Sequence, residues 1–287
     1  WPRLLQDHLE TELRRKVWVG NAGKSGLTSF AHVVQLRVAA RELKPDWAIV
    51  MAGINDLSVC ISGGQITSHE GGGYIQGAAF DDEVVRSVYY RIAPPFSSRS
   101  IRLIDLVLGA TPVAMNRAET VHRDHVIQDK AGLFYIEQRA RRSEATIIDD
   151  LPEIISCLDA FETNLQQMVQ FAKRQGMRIV LLTQGSLYCP DLTQEERALL
   201  WFGAVDRDVF SEPPPTSYYS VRVMAELLDA FNVRTRTVAD AQQIPYLDVD
   251  NVLPKTTESY YDDVHLNPEG SKRLAASLSR LLLSLER

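Results

Sequence analysis

Asp262 and His265, near the carboxyl terminus, have the residue types and the spacing of an acid–base pair. A carboxylate held against one imidazole nitrogen fixes the tautomer and stabilises the imidazolium, which leaves the other nitrogen free to take a proton from a nucleophile. Asp263 is the rival acid. It is next to Val264 and nearer than Asp262 to His265 in the sequence, so its side chain should leave the loop in another direction. We therefore predict that Asp262 is the acid and that His265 is the base.

Two earlier segments offer groups that could stand opposite such a pair. The first is Asn21-Ala22-Gly23-Lys24-Ser25-Gly26 and the second is Gly53-Ile54-Asn55-Asp56. Attack of a nucleophile on an ester carbonyl creates an oxyanion, which a rigid side-chain amide and backbone N–H groups can stabilise. We predict that Asn55 and the N–H of Gly26 are the oxyanion donors, and that Asn21, Gly53 and Asp56 support them.

The elements that must position these residues are strands of a parallel sheet. Short apolar runs predict strands at Val17–Val19, Trp47–Ala52 and Tyr246–Val249, and each precedes one of the segments above. In parallel α/β sheets, ligands bind outside the carboxyl ends of the strands. The loops that carry the candidate residues are therefore expected to converge at one edge of the sheet.

Helices alternate with these strands along most of the chain. Apolar periodicity and capping residues predict helices at Pro2–Lys16, Ser29–Leu43, Glu153–Arg174, Tyr218–Ala241 and from Pro268, after Asn267 as the N-cap, to about Leu285. Arg178–Thr183 is predicted as one more buried strand, and Thr193 with Glu196 forms a capping-box pattern before a short helix. The alternation predicts an α/β fold: a three-layer α/β/α sandwich with a parallel, flavodoxin-like sheet.

Residues 58–150 interrupt the alternation. This interval holds glycine clusters and a proline pair, with helical patterns at Ile101–Leu108 and Gly132–Arg142. So long an interval between two strands is rarely bare loop. We predict a cap or lid inserted into a single domain that spans residues 1–287.

The three motifs together resemble those of the SGNH hydrolases, also called the GDSL esterase/lipase family. Residues 21–26 resemble its second block, residues 53–56 its third and Asp262-x-x-His265 its fifth, in the same order and over most of the chain. The resemblance implies that Gly26 and Asn55 are oxyanion donors and that Asp262 and His265 belong to a Ser-His-Asp triad. It also implies the fold of that family, which agrees with the fold predicted from the alternation.

The nucleophile of that family lies in a Gly-Asp-Ser block that precedes a helix similar to Trp1-Pro2-Arg3-Leu4-Leu5. We therefore expect the serine upstream of Trp1. The resemblance implies hydrolysis of carboxylic esters through an acyl-enzyme, with lipases, acyl-thioesterases and carbohydrate O-acetylesterases as possible relatives. The absence of a strongly apolar lid helix favours a small acyl or acetyl ester of a small molecule or a carbohydrate.

Two other functions stay open from the sequence. A binding or scaffold protein could keep this fold without catalysis, in which case the residues upstream of Trp1 would not include the nucleophile block. Gly23-Lys24-Ser25 after a strand could also suggest a P-loop nucleotide binder. The Walker pattern would, however, need a glycine at the position of Trp18, which makes this alternative weaker.

Composition excludes several other classes. The 287 residues carry a net charge of -6, which argues against a general nucleic-acid binder. The 45% hydrophobic content suits a soluble globular protein, and no apolar run is long enough to predict a membrane span. The sequence begins at Trp1, so it does not show whether the protein is cytoplasmic or secreted. The oligomeric state also stays open.

No metal or organic cofactor is expected. The three cysteines, Cys60, Cys157 and Cys189, have neither a metal-like spacing nor the pattern of a disulfide framework. His122 and His125 would share a helical face, but no third ligand is evident, so a solvated polar segment is the better interpretation.

Overall fold

A computed structural model of the protein describes residues 1–23, 26–64, 133–211 and 213–286. Helices and strands alternate along these ranges. The helices are α1 (Pro2–Leu13), α2 (Ser29–Leu43), α3 (Ile54–Ile61), α4 (133–144), α5 (Ile155–Arg174), α6 (Gln194–Arg197), α7 (Val221–Gln242), α8 (Val249–Val252) and α9 (Pro268–Leu285). The strands are β1 (Trp47–Met51), β2 (Thr146–Ile148), β3 (Arg178–Leu182), β4 (Ser217–Tyr219) and β5 (Tyr246–Leu247).

The central sheet is parallel, with the strand order β1-β3-β5. Trp47 pairs with Arg178 at the amino ends of β1 and β3, and Met51 pairs with Leu182 at their carboxyl ends. All of β3 after Arg178 is buried, as expected for a strand with helices on both faces. The residues that directly follow β1 and β3 therefore lie at one edge of the sheet.

Helices form a layer on each side of this sheet. On one side α2, α5 and α7 pack side by side, and both α5 and α7 contact β3. Phe161 of α5 and Phe231 of α7 are fully buried, and their rings meet edge to face at 5.0 Å between centroids. On the other side α1 packs against α9. The predicted three-layer α/β/α fold with a parallel sheet is confirmed.

The strand predicted at Val17–Val19 is wrong. The segment has no strand partner within the described ranges, and the indole of Trp18 is 67% exposed. Its two terminal N–H groups donate instead to side-chain oxygens of Glu10 and Gln6 on α1, each at 3.1 Å. Helix side chains thus satisfy the backbone groups that a neighbouring strand would otherwise bind.

A second parallel pair, β2 with β4, was not predicted. Ile147 pairs with Tyr218, in a segment for which the sequence predicts the start of a helix. The helix α7 begins only at Val221, because Ser220 caps it: the Ser220 Oγ accepts the N–H of Val223 at 3.2 Å. The aromatic pair before the cap belongs to the strand.

Most other elements agree with the sequence to within a few residues. The α2 bounds, the capping box at Thr193 and the Asn267 cap of α9 are confirmed. Shorter than predicted are α1, which ends at Leu13, α5, which begins at Ile155, and β5, which ends at Leu247. The strand β5 ends early because α8 begins at Val249, two residues after Leu247, where the apolar run predicts the end of the strand.

The interval predicted as a cap is only partly described. The pattern at Ile101–Leu108 and the pair His122 and His125 lie outside the described residues, whereas 133–144 is helical. A disulfide between Cys60 of α3 and Cys157 of α5 spans the interval, with a sequence separation of 97. The spacing of the cysteines gave no sign of this bond, because only the packing of α3 near α5 brings them together.

Candidate active site

The structure places Asp262, rather than Asp263, against His265. The Nδ1 of His265 lies 2.8 Å from Oδ2 of Asp262 and 3.1 Å from Oδ1. Oδ1 also accepts the backbone N–H groups of Val264 at 3.0 Å and of His265 at 2.8 Å. Asp262 is fully buried, while the His265 side chain is 44% exposed. The carboxylate is thus fixed by its own loop, and Nε2 is the imidazole nitrogen left for proton transfer.

The two groups shift each other's pKa in opposite directions. Burial raises the pKa of Asp262, but the hydrogen bonds and the charge of His265 outweigh it, so the pKa is lowered. Burial lowers the pKa of His265, but the hydrogen bond and charge of Asp262 outweigh it, so the pKa is raised. The pair therefore favours the imidazolium–carboxylate state, which a general base forms as it accepts a proton.

The raised pKa of His265 predicts the pH dependence of activity. A general base must be neutral, so activity should be lost as pH falls through the pKa of His265. We expect the acidic limb of kcat/KM for ester hydrolysis to lie above the ordinary histidine value of about 6.5. Initial rates across a pH series measure it. Asp262→Asn should move the limb to lower pH, and a wild-type limb below 6.5 would contradict the prediction.

Asp263 points away from His265 and braces the surrounding loops. It is fully buried, and its side chain accepts the Tyr188 hydroxyl and the backbone N–H of Trp201, both at 2.8 Å. Its backbone carbonyl accepts the N–H of Leu187 at 2.7 Å. Burial is the main reason that the pKa of Asp263 is raised. Asp263 thus fastens residues 261–265, the predicted catalytic loop, to the segment after β3 and to the segment after α6.

The carboxyl ends of β1 and β3 approach each other closely beside this loop. Gly53, directly after β1, has a φ of 136°, and a Cβ built on it would lie 3.6 Å from the Cβ of Gln184 after β3. Leu187, three residues further on, binds the carbonyl of Asp263. The segment after β1 and the predicted catalytic loop thus both contact the segment after β3.

Asn55 meets the turn that carries Gly26. It lies in the first turn of α3 rather than in a loop, and its Nδ2 donates to the carbonyl of Leu27 at 2.9 Å. Gly26 has a φ of 77°, a backbone conformation that favours glycine. A side-chain amide has two N–H groups, so one fixes the turn and the second can serve an oxyanion.

Asp56 is a buried brace behind Asn55. It is fully buried, and each of its oxygens accepts the backbone N–H of Ser29, at 3.0 and 2.9 Å. The Ser29 hydroxyl also donates to Asp56 and accepts the amide of Asn164 at 3.0 Å. Burial raises the pKa of Asp56 to about 7. These contacts join α3, α2 and α5, so Asp56 fixes the first turn of α3, in which Asn55 lies.

Asn21 is the predicted residue that the structure connects least to the others. Its side chain is exposed, and its Oδ1 accepts the N–H of Gly23 at 3.0 Å. This contact closes a local turn. Lys24 and Ser25, on which the nucleotide-binding alternative depends, lie outside the described residues.

Two arginines of α4 fasten that helix to the site, and sequence reasoning identified neither of them. Arg139 donates to the carbonyl of Tyr261 at 3.0 Å and to that of Leu199 at 3.1 Å. Arg142 is buried and donates to the carbonyls of Phe202 and Tyr219. Because the acceptors are backbone carbonyls far along the chain, no motif could reveal them.

Aromatic rings surround the acid–base pair. Tyr261 stacks on the His265 imidazole, with 5.6 Å between centroids and an angle of 11°. Its ring also meets Tyr135 of α4 edge to face at 6.5 Å. Trp201 lies behind Tyr135, and its Nε1 donates to Oδ2 of Asp262 at 3.2 Å. Tyr261 directly precedes the predicted acid in the sequence, whereas no sequence motif marks Trp201.

The described ranges contain neither a metal-binding cluster nor a membrane-spanning helix. There, no cluster of three or more His, Cys, Asp or Glu side chains is arranged to hold a metal ion. In that part of the chain, no helix combines the length and the apolar character that crossing a membrane would require.

Comparison with known proteins decides the family. The sequence profile of the GDSL-like Lipase/Acylhydrolase family matches residues 1–273. The chain belongs to this family. The protein is therefore an ester-hydrolysing enzyme, as the resemblance of its three motifs implied. No curated protein sequence matches it significantly.

Solved structures that resemble this chain have low sequence identity to it. A GDSL-like lipase from Bacteroides thetaiotaomicron is 14% identical, with a TM-score of 0.47, covering 99% of this chain and 82% of the lipase. LAE5, an alpha/beta hydrolase enzyme from the metagenome of Lake Arreo, Spain, is 15% identical, with a TM-score of 0.46 and coverages of 98% and 79%. A mutant of Axe2, an acetyl-xylooligosaccharide esterase from Geobacillus Stearmophilus, is 16% identical, with a TM-score of 0.44 and coverages of 97% and 78%.

Proposed function

We propose that this acylhydrolase cleaves carboxylic esters through a serine acyl-enzyme, with His265 as the general base and Asp262 as its partner. The observation that carries the proposal is the 2.8 Å contact between His265 Nδ1 and Asp262 Oδ2, on a loop fastened to the carboxyl edge of the sheet. The nucleophile is the serine expected upstream of Trp1. Asn55 and the N–H of Gly26 are the oxyanion donors.

The reaction then has two similar halves. The serine Oγ attacks the ester carbonyl while Nε2 of His265 takes its proton, and Asp262 stabilises the resulting imidazolium. The oxyanion is held by the free amide hydrogen of Asn55 and by the N–H of Gly26. Collapse breaks the bond to the alcohol, which leaves with the proton from His265. Water, deprotonated by His265, then releases the acid and restores the serine.

The substrate that we propose is an ester with a short acyl group, acetyl first of all, on a small-molecule or carbohydrate alcohol. The leaving alcohol takes its proton from Nε2, so it must lie beside the imidazole. The ring of Tyr261, 44% exposed and stacked on His265, supplies an aromatic surface with a polar tip at that point.

Covalent trapping tests the proposal. The full-length protein, with its residues upstream of Trp1, is treated with a fluorophosphonate and analysed by intact-mass and peptide mass spectrometry. We expect one phosphonyl group per chain on a serine of the upstream segment, and loss of p-nitrophenyl acetate hydrolysis in proportion to labelling. His265→Ala should label far more slowly.

A different outcome would identify the alternative functions. Hydrolysis that persists in fully labelled protein would exclude the labelled serine as the nucleophile. Neither labelling nor hydrolysis of any short-chain or sugar acetate would favour a binding or scaffold protein with the fold of the family.

A further inference from the structure

Trp201 holds both carboxylates of the catalytic loop. Its indole Nε1 donates to Oδ2 of Asp262 at 3.2 Å, and its backbone N–H donates to Oδ2 of Asp263 at 2.8 Å. The residue is 5% exposed, so both contacts are shielded from water. Oδ2 of Asp262 is also the oxygen that His265 Nδ1 approaches at 2.8 Å. The indole and the imidazole thus share one acceptor.

Trp201 lies on a different segment of the chain from the other donors to the Asp262 carboxylate. Oδ1 of Asp262 is occupied by the N–H groups of Val264 and His265, which belong to the same loop. Among the described residues, Trp201 is the donor to Asp262 that lies outside that loop. It therefore fixes the direction of the carboxylate relative to the body of the protein as well as to its own turn.

The indole is itself held in a fixed orientation. Three aromatic rings meet it edge to face, with centroids at 5.7 Å for Phe134, 5.4 Å for Tyr135 and 5.1 Å for Phe202. A ring packed in this way loses little further freedom when its N–H forms a hydrogen bond, so the bond to Asp262 is pre-organised.

We propose that Trp201 is a positioning residue for ester hydrolysis, and that its indole N–H orients the Asp262 carboxylate and draws part of its charge away from His265. The inference rests on the proposed roles of Asp262 and His265. Without the indole N–H, Oδ2 accepts from His265 alone, so the imidazolium is held more strongly but the carboxylate less exactly in place. The enzyme should then be slower and need a higher pH.

Other titratable groups also face this pair from several elements. They are Asp263 and Tyr261 on the catalytic loop, Tyr135, Arg139 and Arg142 on α4, and Tyr188 after β3. Trp201→Phe alters none of these groups chemically, so a shift of the pH profile that the control variants do not share can be assigned to the lost N–H.

The test is Trp201→Phe in the full-length enzyme. We expect kcat for p-nitrophenyl acetate to fall about 10- to 100-fold, as for a lost hydrogen bond to a charged group, with KM changed by less than about threefold. The acidic limb of kcat/KM should move to higher pH by about half a unit. An unmoved limb would overturn the inference, even if kcat falls.

Two matched variants distinguish the loss of the hydrogen bond to Asp262 from a general loosening of the structure around the site. Trp47→Phe removes an indole N–H that donates to Glu286 at the same 3.2 Å, at the amino end of β1, and should leave kcat and the pH profile unchanged. Tyr188→Phe removes a donor to Asp263 and should leave the acidic limb in place. If Tyr188→Phe shifts the acidic limb as Trp201→Phe does, the shift reflects loosening of the loops that Asp263 joins, and the proposed role of the indole N–H is wrong.

A measurement on the unaltered enzyme covers the case in which Trp201→Phe does not fold. The indole N–H resonance of Trp201, assigned by replacing the other tryptophans of the full-length chain one at a time with phenylalanine, should titrate with the same midpoint as His265. An N–H signal that does not respond to this titration would overturn the inference. If His265→Ala keeps full turnover, the proposed function is wrong. The phenylalanine variants test only the role of Trp201, so the two failures can be told apart.

Discussion

Replacement of His265 by alanine should abolish ester hydrolysis, with kcat reduced about 10⁴-fold or more. The reason is that the serine hydroxyl is a weak nucleophile until a base takes its proton, and Nε2 of His265 is the nitrogen left for that step. Rates with p-nitrophenyl acetate, followed in the full-length protein, measure the effect.

The same variant should fold normally, which makes the result interpretable. The His265 side chain is 44% exposed, so its loss leaves no large cavity. Asp262 keeps the backbone N–H groups at residues 264 and 265 and the indole of Trp201, so the buried carboxylate stays hydrogen-bonded. Circular dichroism and thermal melting test this.

A second histidine serves as the matched control. His8 is exposed on α1, and His8→Ala should leave kcat unchanged. Turnover by His265→Ala within tenfold of the wild type would remove His265 from the mechanism. A fall of the same size in His8→Ala would show that the assay reports folding or expression instead of chemistry.

The sequence predicted best what depends on neighbouring residues. The capping box at Thr193, the Asn267 cap and the buried strand β3 are local patterns, and the structure contains all of them. The same holds for the contact of Asp262 with His265, which a short loop makes by itself. The direction of Asp263 was also readable, because adjacent side chains in a tight turn diverge.

What the sequence did not reveal depends on partners far along the chain. The pairing of β2 with β4, the disulfide between Cys60 and Cys157 and the indole bond of Trp201 each join segments that only the packed fold brings together. The strand predicted at Val17–Val19 failed for the same reason. An apolar run needs a neighbouring strand to become a strand itself, and among the described residues the terminal backbone N–H groups of this run bond to helix side chains instead.

Asn55 shows how local and distant contacts combine in one residue. The motif predicted an amide near an oxyanion, but it did not show that the amide lies in the first turn of α3 or that Leu27 takes one of its hydrogens. That bond restricts the side chain to one orientation. The position at a helix amino terminus adds a favourable field for a developing negative charge.

Asn55→Ala should therefore reduce kcat by about 100- to 1,000-fold, the usual cost of losing one oxyanion donor. KM should change little, because the donor matters most when the oxyanion forms. Asn55→Asp should lose at least as much, since a carboxylate repels the oxyanion that the amide would hold. Steady-state rates with p-nitrophenyl acetate give both constants.

The contact with Leu27 requires a control for distortion of the turn at Gly26. Thermal melting should show that Asn55→Ala keeps the wild-type transition to within a few degrees, as for the loss of about 1 kcal/mol from a domain of this size. Gln166→Ala, which removes a side-chain amide bonded to Glu162 on α5, should leave kcat unchanged. A kcat for Asn55→Ala within threefold of the wild type would show that this amide is not an oxyanion donor, and the stabilisation would then have to come from backbone groups alone.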